Sequence, residues 1–412
     1  MRKITLFIIS IFSLASLWAQ EEKANFKFTP YGFIRNDFYF DSRQNLETAN
    51  GLFYLMPLDK APNGLDEDVN NVSSSGFLAI ATRLGIKISG PDVLGAKSSA
   101  RIETDFAGFG ASTTMLRIRQ AWCKLEWNKV DLLAGQTWHP MFGDVIPTVQ
   151  SLATGSPFQP FNRSPQVRVD YKFTPSFKTY FSALYEFQYT SAGPNGSSQE
   201  YQKNAIVPEL YVGLDFKKNG WIVGAGAGFL RLRPRVKFEN KETGLTRKVS
   251  DNINSFSMNA FLQYTNDLWA FKAKTIYGQN MAHLLLMSGY AVSDVNSDGS
   301  FDYTNLKNST SWANITYGKK TQIGLFAGYS KNLGSDDRLE SRDMVYVMGF
   351  PNLDKVYRVA PQVSYNLKHW TFGVEYERTT ASYGTIDLND GKVKDTHDVT
   401  NNRIVAVMMY LF

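Results

Sequence analysis

One stretch of the sequence has the spacing of a calcium-binding loop. Residues 294–305 read DVNSDGSFDYTN, close to the D-x-N-x-D-G pattern of such loops. Four side chains offer oxygen ligands there, directly or through water: Asp294, Asn296, Asp298 and Asp302. The twelfth position is Asn305, where a bidentate Glu is expected, and no helices are predicted to flank the stretch. Weak calcium binding is therefore one interpretation, and a surface loop rich in Asp, Asn and Gly is the other.

The four histidines do not form a pattern that indicates catalysis. They lie in different connections, at His139, His283, His369 and His397. None of them has the Ser–His or metal-ligand spacing that enzymes use. His139, within TWHP, is expected to be a hydrogen-bonded histidine at a strand end. We therefore predict no catalytic residues and no enzymatic activity, which a lipid-hydrolysis assay would test.

A third set of polar residues alternates with apolar ones in the first half of the chain. Taken as the inward faces of strands, its basic members outnumber its acidic members seven to three. The basic residues are Arg83, Lys87, Arg101, Arg117, Arg119, Arg168 and Lys172, and the acidic residues are Glu103, Asp105 and Asp170. On adjacent strands these bases would form a positive wall, which favours anions in a water-filled passage. The alternative is a set of solvated residues without selectivity.

Sixteen segments with period-two alternation are the elements that would position these residues. They are 29–42, 75–89, 97–108, 113–127, 129–139, 165–174, 176–190, 206–217, 220–236, 251–265, 268–280, 309–318, 320–330, 356–367, 369–381 and 398–412. In 369–381, for example, Trp370 and Phe372 alternate with Glu375 and Glu377 on the opposite face. Beyond the N-terminal residues, no segment approaches 18 consecutive apolar residues, so helical membrane spans are excluded.

The connections between these segments alternate in length. Asn128-Lys129 and Asn266-Asp267 are short, whereas 43–74, 281–308, 331–355 and 382–397 are long. Short turns on one rim and long loops on the other are typical of an outer-membrane barrel, and a soluble sandwich has no reason to segregate them. The predicted fold is all-β: a transmembrane antiparallel β-barrel of about sixteen strands, with short periplasmic turns and long extracellular loops.

The two ends of the chain favour the same fold. A basic start, an apolar run and a cleavage site at Leu17-Trp18-Ala19 predict a secretory signal peptide at 1–19. Residues 20–28 are predicted to be a short periplasmic lead-in and 29–412 the barrel. The last strand ends at Phe412, which resembles the sorting signature of outer-membrane barrels. The predicted location is the outer membrane of a Gram-negative bacterium.

Composition narrows the partners. The formal net charge of +6 is spread over 412 residues, so it does not indicate nucleic acid. Cys123 is the only cysteine, so an intramolecular disulfide is impossible, which suits a bacterial envelope protein.

One connection, 140–164, is apolar and contains four prolines. Long loops of this kind are often functional. We predict that it folds into the barrel and narrows it, and that an outward fold over a neighbouring subunit is the alternative. Its candidate site residues are Phe142, Asp144, Phe158, Phe161 and Arg163.

A barrel of about sixteen strands encloses a water-filled lumen. The pattern therefore predicts a porin for passive diffusion of small hydrophilic solutes, with a preference for anions such as carboxylates. The alternative function is a surface adhesin or glycan-binding barrel that uses 43–74, 281–308 and 331–355. Arg231, Arg233 and Arg235 form a further basic row that could recruit anions, contact lipopolysaccharide phosphates, or simply be solvated.

Several stretches resemble the N-terminal half of the DcaP-like outer-membrane porins. They are TRLGIKISGP (82–91), RIETDFAG (101–108), LRIRQAWCKL (116–125), LLAGQTWHP (132–140) and RSPQVRVDY (163–171). The resemblance implies a homotrimeric channel for small hydrophilic solutes that leans towards carboxylate-bearing anions, in a Gram-negative, Bacteroidetes-type member of the family. Some members carry a long N-terminal helical extension that this sequence lacks, so a trimer would depend on contacts between barrel walls.

Overall fold

The computed structural model describes residues 25–65, 67–108, 114–239 and 244–412. The predicted signal peptide at 1–19, together with residues 20–24 of the predicted lead-in, lies outside the described residues. Lys27 and Phe28 are already paired with the second strand, so the first strand begins two residues earlier than predicted.

One antiparallel sheet dominates the structure, and sixteen strands follow one another around it in chain order. The first eight are β1 (Lys27–Asp41), β2 (Ser74–Leu78 and Arg83–Ser89), β3 (Lys97–Asp105), β4 (Arg117–Glu126), β5 (Val130–Trp138), β6 (Arg163–Thr174), β7 (Phe177–Leu184) and β8 (Glu209–Lys218). The other eight are β9 (Trp221–Leu232), β10 (Ile253–Thr265), β11 (Trp269–Gln279), β12 (Phe301–Tyr317), β13 (Thr321–Gly334), β14 (Leu353–Asn366), β15 (Trp370–Ile386) and β16 (Val393–Leu411). Each predicted segment overlaps one of these strands, which confirms the predicted strand number.

The sheet closes on itself. Strand β1 pairs antiparallel with β16 over nine residues of each strand, from Phe33 opposite Leu411 to Asp41 opposite Arg403. Closure satisfies the backbone groups of both edge strands, which lipid could not hydrogen-bond. The described strands therefore form a closed barrel.

The two faces of the barrel have the polarity of a membrane protein. On β15, Phe372 is 41% exposed on the outer face, whereas Glu375 and Glu377 on the inner face are each 1% exposed. Aromatic pairs such as Trp269 with Tyr317 lie beside the short turns, where a membrane interface would lie. Apolar residues outside and polar residues inside are what a lipid-facing barrel requires.

The rims differ in their connections. One rim has short turns, for example 127–129, 219–220 and 266–268, and the other carries the longer connections. The predicted long loop 382–397 is wrong in extent, because β15 and β16 pair out to Ile386 opposite Val393. We call the two ends the short-turn rim and the long-loop rim.

Smaller elements lie within the long connections. They are the strands Asn45–Thr48, Phe53–Pro57, Lys237–Glu239, Thr246–Lys248, Gly289–Val295 and Val345–Val347, the helix α1 (Glu200–Ala205), and the 3-10 turns Ala282–Leu284 and Arg342–Met344. In the part of the chain that the structure describes, no helix is long and apolar enough to cross a membrane.

The largest apolar cluster lies inside the barrel. Residues from the connections 42–73 and 139–162 pack there against inward-facing residues of the wall, including Trp312, Phe326 and Val356. Two long connections thus contribute their apolar side chains to one interior core, and the open passage must run beside it.

Candidate functional site in the barrel lumen

The connection 139–162 crosses the interior and is held by the opposite wall. On β11, the Lys274 ammonium donates a hydrogen bond to the carbonyl oxygen of Phe142 at 2.6 Å. On the same strand, Lys272 donates to the carbonyl oxygen of Ile146 at 3.0 Å. A buried ammonium group has lost its hydrogen bonds to water, so its hydrogen bonds to backbone carbonyl groups are costly to break. They therefore fix the path of the loop.

In the middle of this loop, side chains of the barrel wall bind both backbone N–H groups and a backbone carbonyl oxygen. The Glu375 carboxylate on β15 accepts hydrogen bonds from the backbone N–H groups of Gln150 (2.7 Å) and Ser151 (3.3 Å). The Arg35 guanidinium on β1 donates to the carbonyl oxygen of Gln150 at 2.6 Å. The side-chain amide of Gln150 also donates to Gln362 on β14. Residues 139–162 therefore lie across the lumen, from β5 and β6 to the strands near closure.

The connection 42–73 also enters the interior, which sequence reasoning did not foresee. Its apolar strand Phe53–Pro57 is buried, because FYLM has no place on a solvated surface. Buried Arg358 on β14 donates to the carbonyl oxygens of Leu55 (2.8 Å) and Ser156 (3.0 Å), so that one guanidinium ties both inserted loops to the wall. The expectation that 43–74 is an outer binding loop is wrong for this buried segment.

A charge cluster covers the wall formed by β2, β3 and β4. The Glu103 carboxylate accepts hydrogen bonds from Nη2 of Arg101 (2.6 Å) and from Nε of Arg119 (3.0 Å). The Asp105 carboxylate accepts from Arg117 (2.8 Å) and again from Arg119 (2.7 Å). The two carboxylates are almost completely buried beneath these guanidinium groups. The two carboxylates thus form the buried layer of the cluster, and the guanidinium groups lie between them and the lumen.

Two further guanidinium groups leave this wall with an excess of positive charge. Arg83 lies 3.7 Å from Glu103, and its buried Nε has no hydrogen-bond partner. Arg163 donates only to the neutral groups of Gln188 and Tyr189, both at 3.2 Å, and no ion pair joins it to a carboxylate of the described residues. Four arginines therefore share two carboxylates, and Arg163 on β6 adds a fifth positive charge.

A cavity of about 260 Å³ lies against this wall on the side of the long-loop rim. Three of the arginines face it, and the two inserted loops close it with apolar side chains. Its lining is Thr48, Ala49, Phe53, Arg83, Ala107, Arg117, Arg119, Trp138, Phe142, Ile146, Leu152, Thr154, Phe161 and Tyr189. We call it the upper cavity; its lining contains three basic residues and no acidic one.

A second cavity, of about 300 Å³, lies nearer the short-turn rim. Its lining is Trp122, Lys124, Asp131, Leu133, Thr137, Trp138, His139, Pro140, Gly143, Asp144, Arg168 and Asp170. The ionisable groups are paired here: Arg168 donates to Asp170 at 2.5 Å, and Lys124 lies 2.9 Å from Asp131. We call it the lower cavity; three acidic residues offset two basic ones in its lining.

Asp144 shows how the loop contributes charge to the lower cavity. Burial opposes ionisation of this carboxyl, but the hydrogen bond and charge of Lys217 outweigh it, so the pKa of Asp144 is lowered. The carboxylate therefore stays ionised within the cavity at neutral pH.

The predicted wall residues divide into three groups. Arg83, Arg117 and Arg119 line the upper cavity, and Arg168 and Asp170 line the lower one. The remaining predicted wall residues, which support the cluster or lie elsewhere on the wall without lining either cavity, are Lys87, Arg101, Lys172, Glu103 and Asp105.

The predicted loop residues are also separated. Phe142 and Phe161 line the upper cavity, whereas Phe158 is fully buried against Phe326 on β13, with ring centroids 6.1 Å apart. Arg163 was expected within the loop, but it is the first residue of β6 and pairs with Trp138 of β5. The strand begins two residues before the predicted start at 165, because the β5–β6 ladder continues through Ser164 opposite Thr137 to Arg163 opposite Trp138.

Trp138 was missed as a functional residue, although TWHP drew attention to its neighbour. Its indole stacks on Phe142 with ring centroids 3.9 Å apart and an interplanar angle of 6°. The Arg163 guanidinium lies over the same indole at 4.9 Å. An available signal was its position, since a tryptophan immediately before the inserted loop stands where strand and loop meet.

His139 and His283 meet at Glu209 in a buried cluster. The His139 Nε2 lies 3.0 Å from the Glu209 carboxylate, and the His283 Nε2 lies 3.3 Å from it. The ligand atoms of these three residues all lie within 4.8 Å of one another, a spacing that would suit a metal ion. Among the described residues, this is the group of His, Cys, Asp and Glu side chains with that spacing. The Nδ1 of His139, however, accepts a hydrogen bond from the backbone N–H of Met141 at 3.1 Å. The proton of a neutral His139 must then lie on Nε2, which makes the contact with Glu209 a hydrogen bond rather than half of a metal site.

The candidate calcium loop forms a β-hairpin. Asp294 lies opposite Asp302 in the ladder between Gly289–Val295 and β12. The Asp298 carboxylate accepts hydrogen bonds from the backbone N–H and hydroxyl of Ser300 at 2.9 and 2.6 Å. The three carboxylates are not gathered into one cluster among the residues that the structure covers. Calcium binding at 294–305 stays a prediction.

The basic row beyond β9 is partly engaged by its neighbours. Arg235 donates to Asp251 at 2.7 Å and lies over the ring of Phe301 at 3.3 Å. Arg233 donates to the carbonyl oxygen of Val249. These contacts hold the long-loop rim together, and contact with lipopolysaccharide stays a prediction.

The fold is similar to that of solved outer-membrane channels. The crystal structure of the outer membrane channel DcaP of Acinetobacter baumannii superposes with a TM-score of 0.68 at 19% identity, covering 94% of this chain and 98% of that one. Outer-membrane-expressed OmpT of Vibrio cholerae gives 0.55 at 12% identity, covering 95% and 99%. Salmonella typhi OmpF in complex with daunomycin gives 0.53 at 11% identity, covering 94% and 98%. No protein-family model and no curated protein matches the sequence. At these identities the likeness establishes the porin-like barrel fold.

Proposed function

We propose that the protein is an outer-membrane channel through which small hydrophilic solutes diffuse passively, with a preference for anions such as carboxylates. The observation that carries this proposal is the upper cavity, lined by Arg83, Arg117 and Arg119 and by no acidic residue. A cationic lining lowers the electrostatic barrier to an anion and raises the barrier to a cation. The resemblance to DcaP-like porins supports the same solute class.

In this proposal the upper cavity is the constriction of the channel. The connection 139–162 is held across the lumen by Lys274, Glu375 and Arg358, while 42–73 fills the space beside it. The passage is therefore confined to the wall made by β2 to β7. The loop supplies bulk through Phe142 and Phe161, and the wall supplies charge.

The orientation, the assembly and the targeting belong to the same proposal. The short-turn rim faces the periplasm and the long-loop rim the exterior, as in other outer-membrane barrels. Residues 1–19 direct export as a cleaved signal peptide. The barrels associate as a homotrimer through their apolar outer faces, within lipid and lipopolysaccharide.

Planar-bilayer recording of the purified full-length mature protein tests the function. Stepwise currents that grow with salt concentration are expected, and their reversal potential across a salt gradient should report anion preference. Well-inserted protein without current would refute the channel. A cation-selective reversal potential would refute the role of the arginine wall while leaving the channel intact.

A further inference from the structure

The two cavities lie on one wall and follow one another along it. Arg117 opens β4 near the long-loop rim and lines the upper cavity, whereas Lys124, seven residues further towards the short-turn rim, lines the lower cavity. Both cavities lie between this wall and the inserted loop 139–162. A solute that crosses the barrel along the wall would pass through one and then the other.

A single side chain borders both spaces. Of the residues that line the upper or the lower cavity, Trp138 alone lines both. It is the last residue of β5, so its backbone is held by the ladder with β6. Its indole extends from the wall to the loop, where it stacks on Phe142 at 3.9 Å. The stacked pair therefore bridges the gap between wall and loop where the cavities meet.

The surroundings of the pair hold it in this position. Phe161 packs edge-on against the Trp138 indole at 5.0 Å, and the guanidinium groups of Arg163 and Arg119 lie over it at 4.9 and 5.7 Å. Cationic groups over an indole face contribute favourable electrostatic interactions in addition to packing. The hydrogen bond from Lys274 to the carbonyl oxygen of Phe142 holds the backbone that carries the other ring. Neither ring can leave without the loss of several contacts.

The charge changes across the pair. The lining of the upper cavity contains bases alone among its ionisable residues, whereas the lower cavity adds Asp131, Asp144 and Asp170 to its two bases. An anion drawn into the upper cavity therefore meets the aromatic pair before it meets any carboxylate. The aromatic pair therefore follows the region that attracts the solute.

We propose that the Trp138–Phe142 stack is the partition between two halves of one permeation path and sets the size of the solute that passes. The inference rests on the proposed channel function and deepens it, because it assigns the size limit to one aromatic pair rather than to the loop as a whole. The arginine wall determines which charge of solute is favoured, and the stack determines the largest solute that passes. Trp138 is thus a specificity-determining residue.

Single-channel conductance of the Trp138→Ala protein tests the partition. Removal of the indole should raise the conductance at least about twofold and admit larger neutral sugars in liposome-swelling assays, because the path widens at its narrowest point. Phe142→Ala, which removes the other ring, should change both measurements in the same direction. Trp138→Phe, which keeps an aromatic ring on the wall, should stay near the wild type.

Trp269→Ala is the matched control. Trp269 is 46% exposed on the outer face of β11 and lines neither cavity, so its removal should leave the conductance and the size limit unchanged. Heat-modifiable migration on gels shows that each variant is folded. A folded Trp138→Ala protein with wild-type conductance and size limit would overturn the partition. Absence of current from the well-inserted wild type would overturn the channel itself, whatever the variants show.

Discussion

Lys274 and Phe142 come from opposite sides of the barrel and meet in its interior. The ammonium group of Lys274 is 2.6 Å from the carbonyl oxygen of Phe142 and 3.0 Å from that of Met141. The lysine is buried, and no ion pair joins it to an acidic residue in the described ranges. Its charge is therefore stabilised chiefly by two peptide carbonyl groups, and those groups belong to the start of the inserted loop.

Replacement of this lysine should loosen the loop. Lys274→Met keeps the length of the side chain but removes the donor. The buried carbonyl oxygen of Met141 then has no donor among the described residues and that of Phe142 keeps only the Gln159 side chain, at a cost of about 1–3 kcal/mol. Rapid current fluctuations should appear in single-channel recordings, because the loop moves within the passage. Lys319→Met, at an exposed turn, is the control and should record as the wild type does. A quiet Lys274→Met channel would show that the loop does not need this anchor.

Arg358 should matter for stability as well as for current. Its guanidinium is 2% exposed, donates to Leu55 and Ser156 of the two inserted loops, and lies 3.7 Å from buried Glu377. Arg358→Met should therefore lower the free energy of unfolding by about 3–5 kcal/mol, because it leaves a buried carboxylate without its partner.

The temperature at which the folded band disappears on gels measures the effect of Arg358→Met. Arg378→Met changes an exposed arginine on the outer face of β15 and serves as the control. If Arg358→Met and Arg378→Met lost the folded band at the same temperature, the two inserted loops would be held without the guanidinium of Arg358.

The barrel could be predicted from the sequence because it depends on local alternation. In β15, Trp370 and Phe372 alternate with inward polar residues, and this pattern can be recognised without knowing which strands pair with one another. Strand ends were less predictable: β16 begins at Val393 rather than at 398 because the hairpin with β15 continues past the apolar belt.

The interior could be predicted only in part, because its contacts join distant parts of the chain. An inward loop and a basic wall follow from composition, yet the hydrogen bond from Arg358 to Leu55 joins residues 303 positions apart. Trp138 is the last residue of β5 and stacks on Phe142 of the inserted loop. Period-two counting within a strand does not register a contact of this kind, so Trp138 was missed.

Arg83 should contribute to anion preference with little structural cost. It lines the upper cavity, and its nearest carboxylate, on Glu103, is 3.7 Å away. Arg83→Gln should lower the anion-to-cation permeability ratio about tenfold, because loss of one unit charge about 6 Å from the path in water-like surroundings raises the barrier to an anion and lowers the barrier to a cation by about 0.7 kcal/mol each. Reversal potentials at low ionic strength give the ratio, since salt screens the difference.

Arg378→Gln carries the same change of charge on the outer face of the barrel and should leave the permeability ratio unchanged. If the two variants shifted the reversal potential equally, the net charge of the protein rather than the cavity lining would control selectivity.

The contact between His283 and Glu209 should make the attachment of the loops dependent on pH. Burial lowers the pKa of His283, but the charge and hydrogen bond of Glu209 outweigh burial, and the nearby Glu186 adds to their effect, so the pKa is raised. A group whose pKa is higher in the folded state stabilises the fold fully below its unfolded value of about 6.5, and this stabilisation is lost as pH rises through the folded pKa. Asn162 donates to the carbonyl oxygen of His283 at 2.8 Å, which connects the histidine to the end of the inserted loop.

The wild type should therefore lose its folded band at a higher temperature than His283→Gln at about pH 6, and the difference should shrink towards about pH 9. Gel migration after heating at a series of pH values measures both midpoints. His369→Gln, which changes an exposed histidine at a short turn, is the control and should follow the wild type at every pH. A difference between wild type and His283→Gln that stayed constant across this range would mean that His283 stabilises the loops by packing alone, because a contribution from its charge must vanish once the imidazole is neutral in both states.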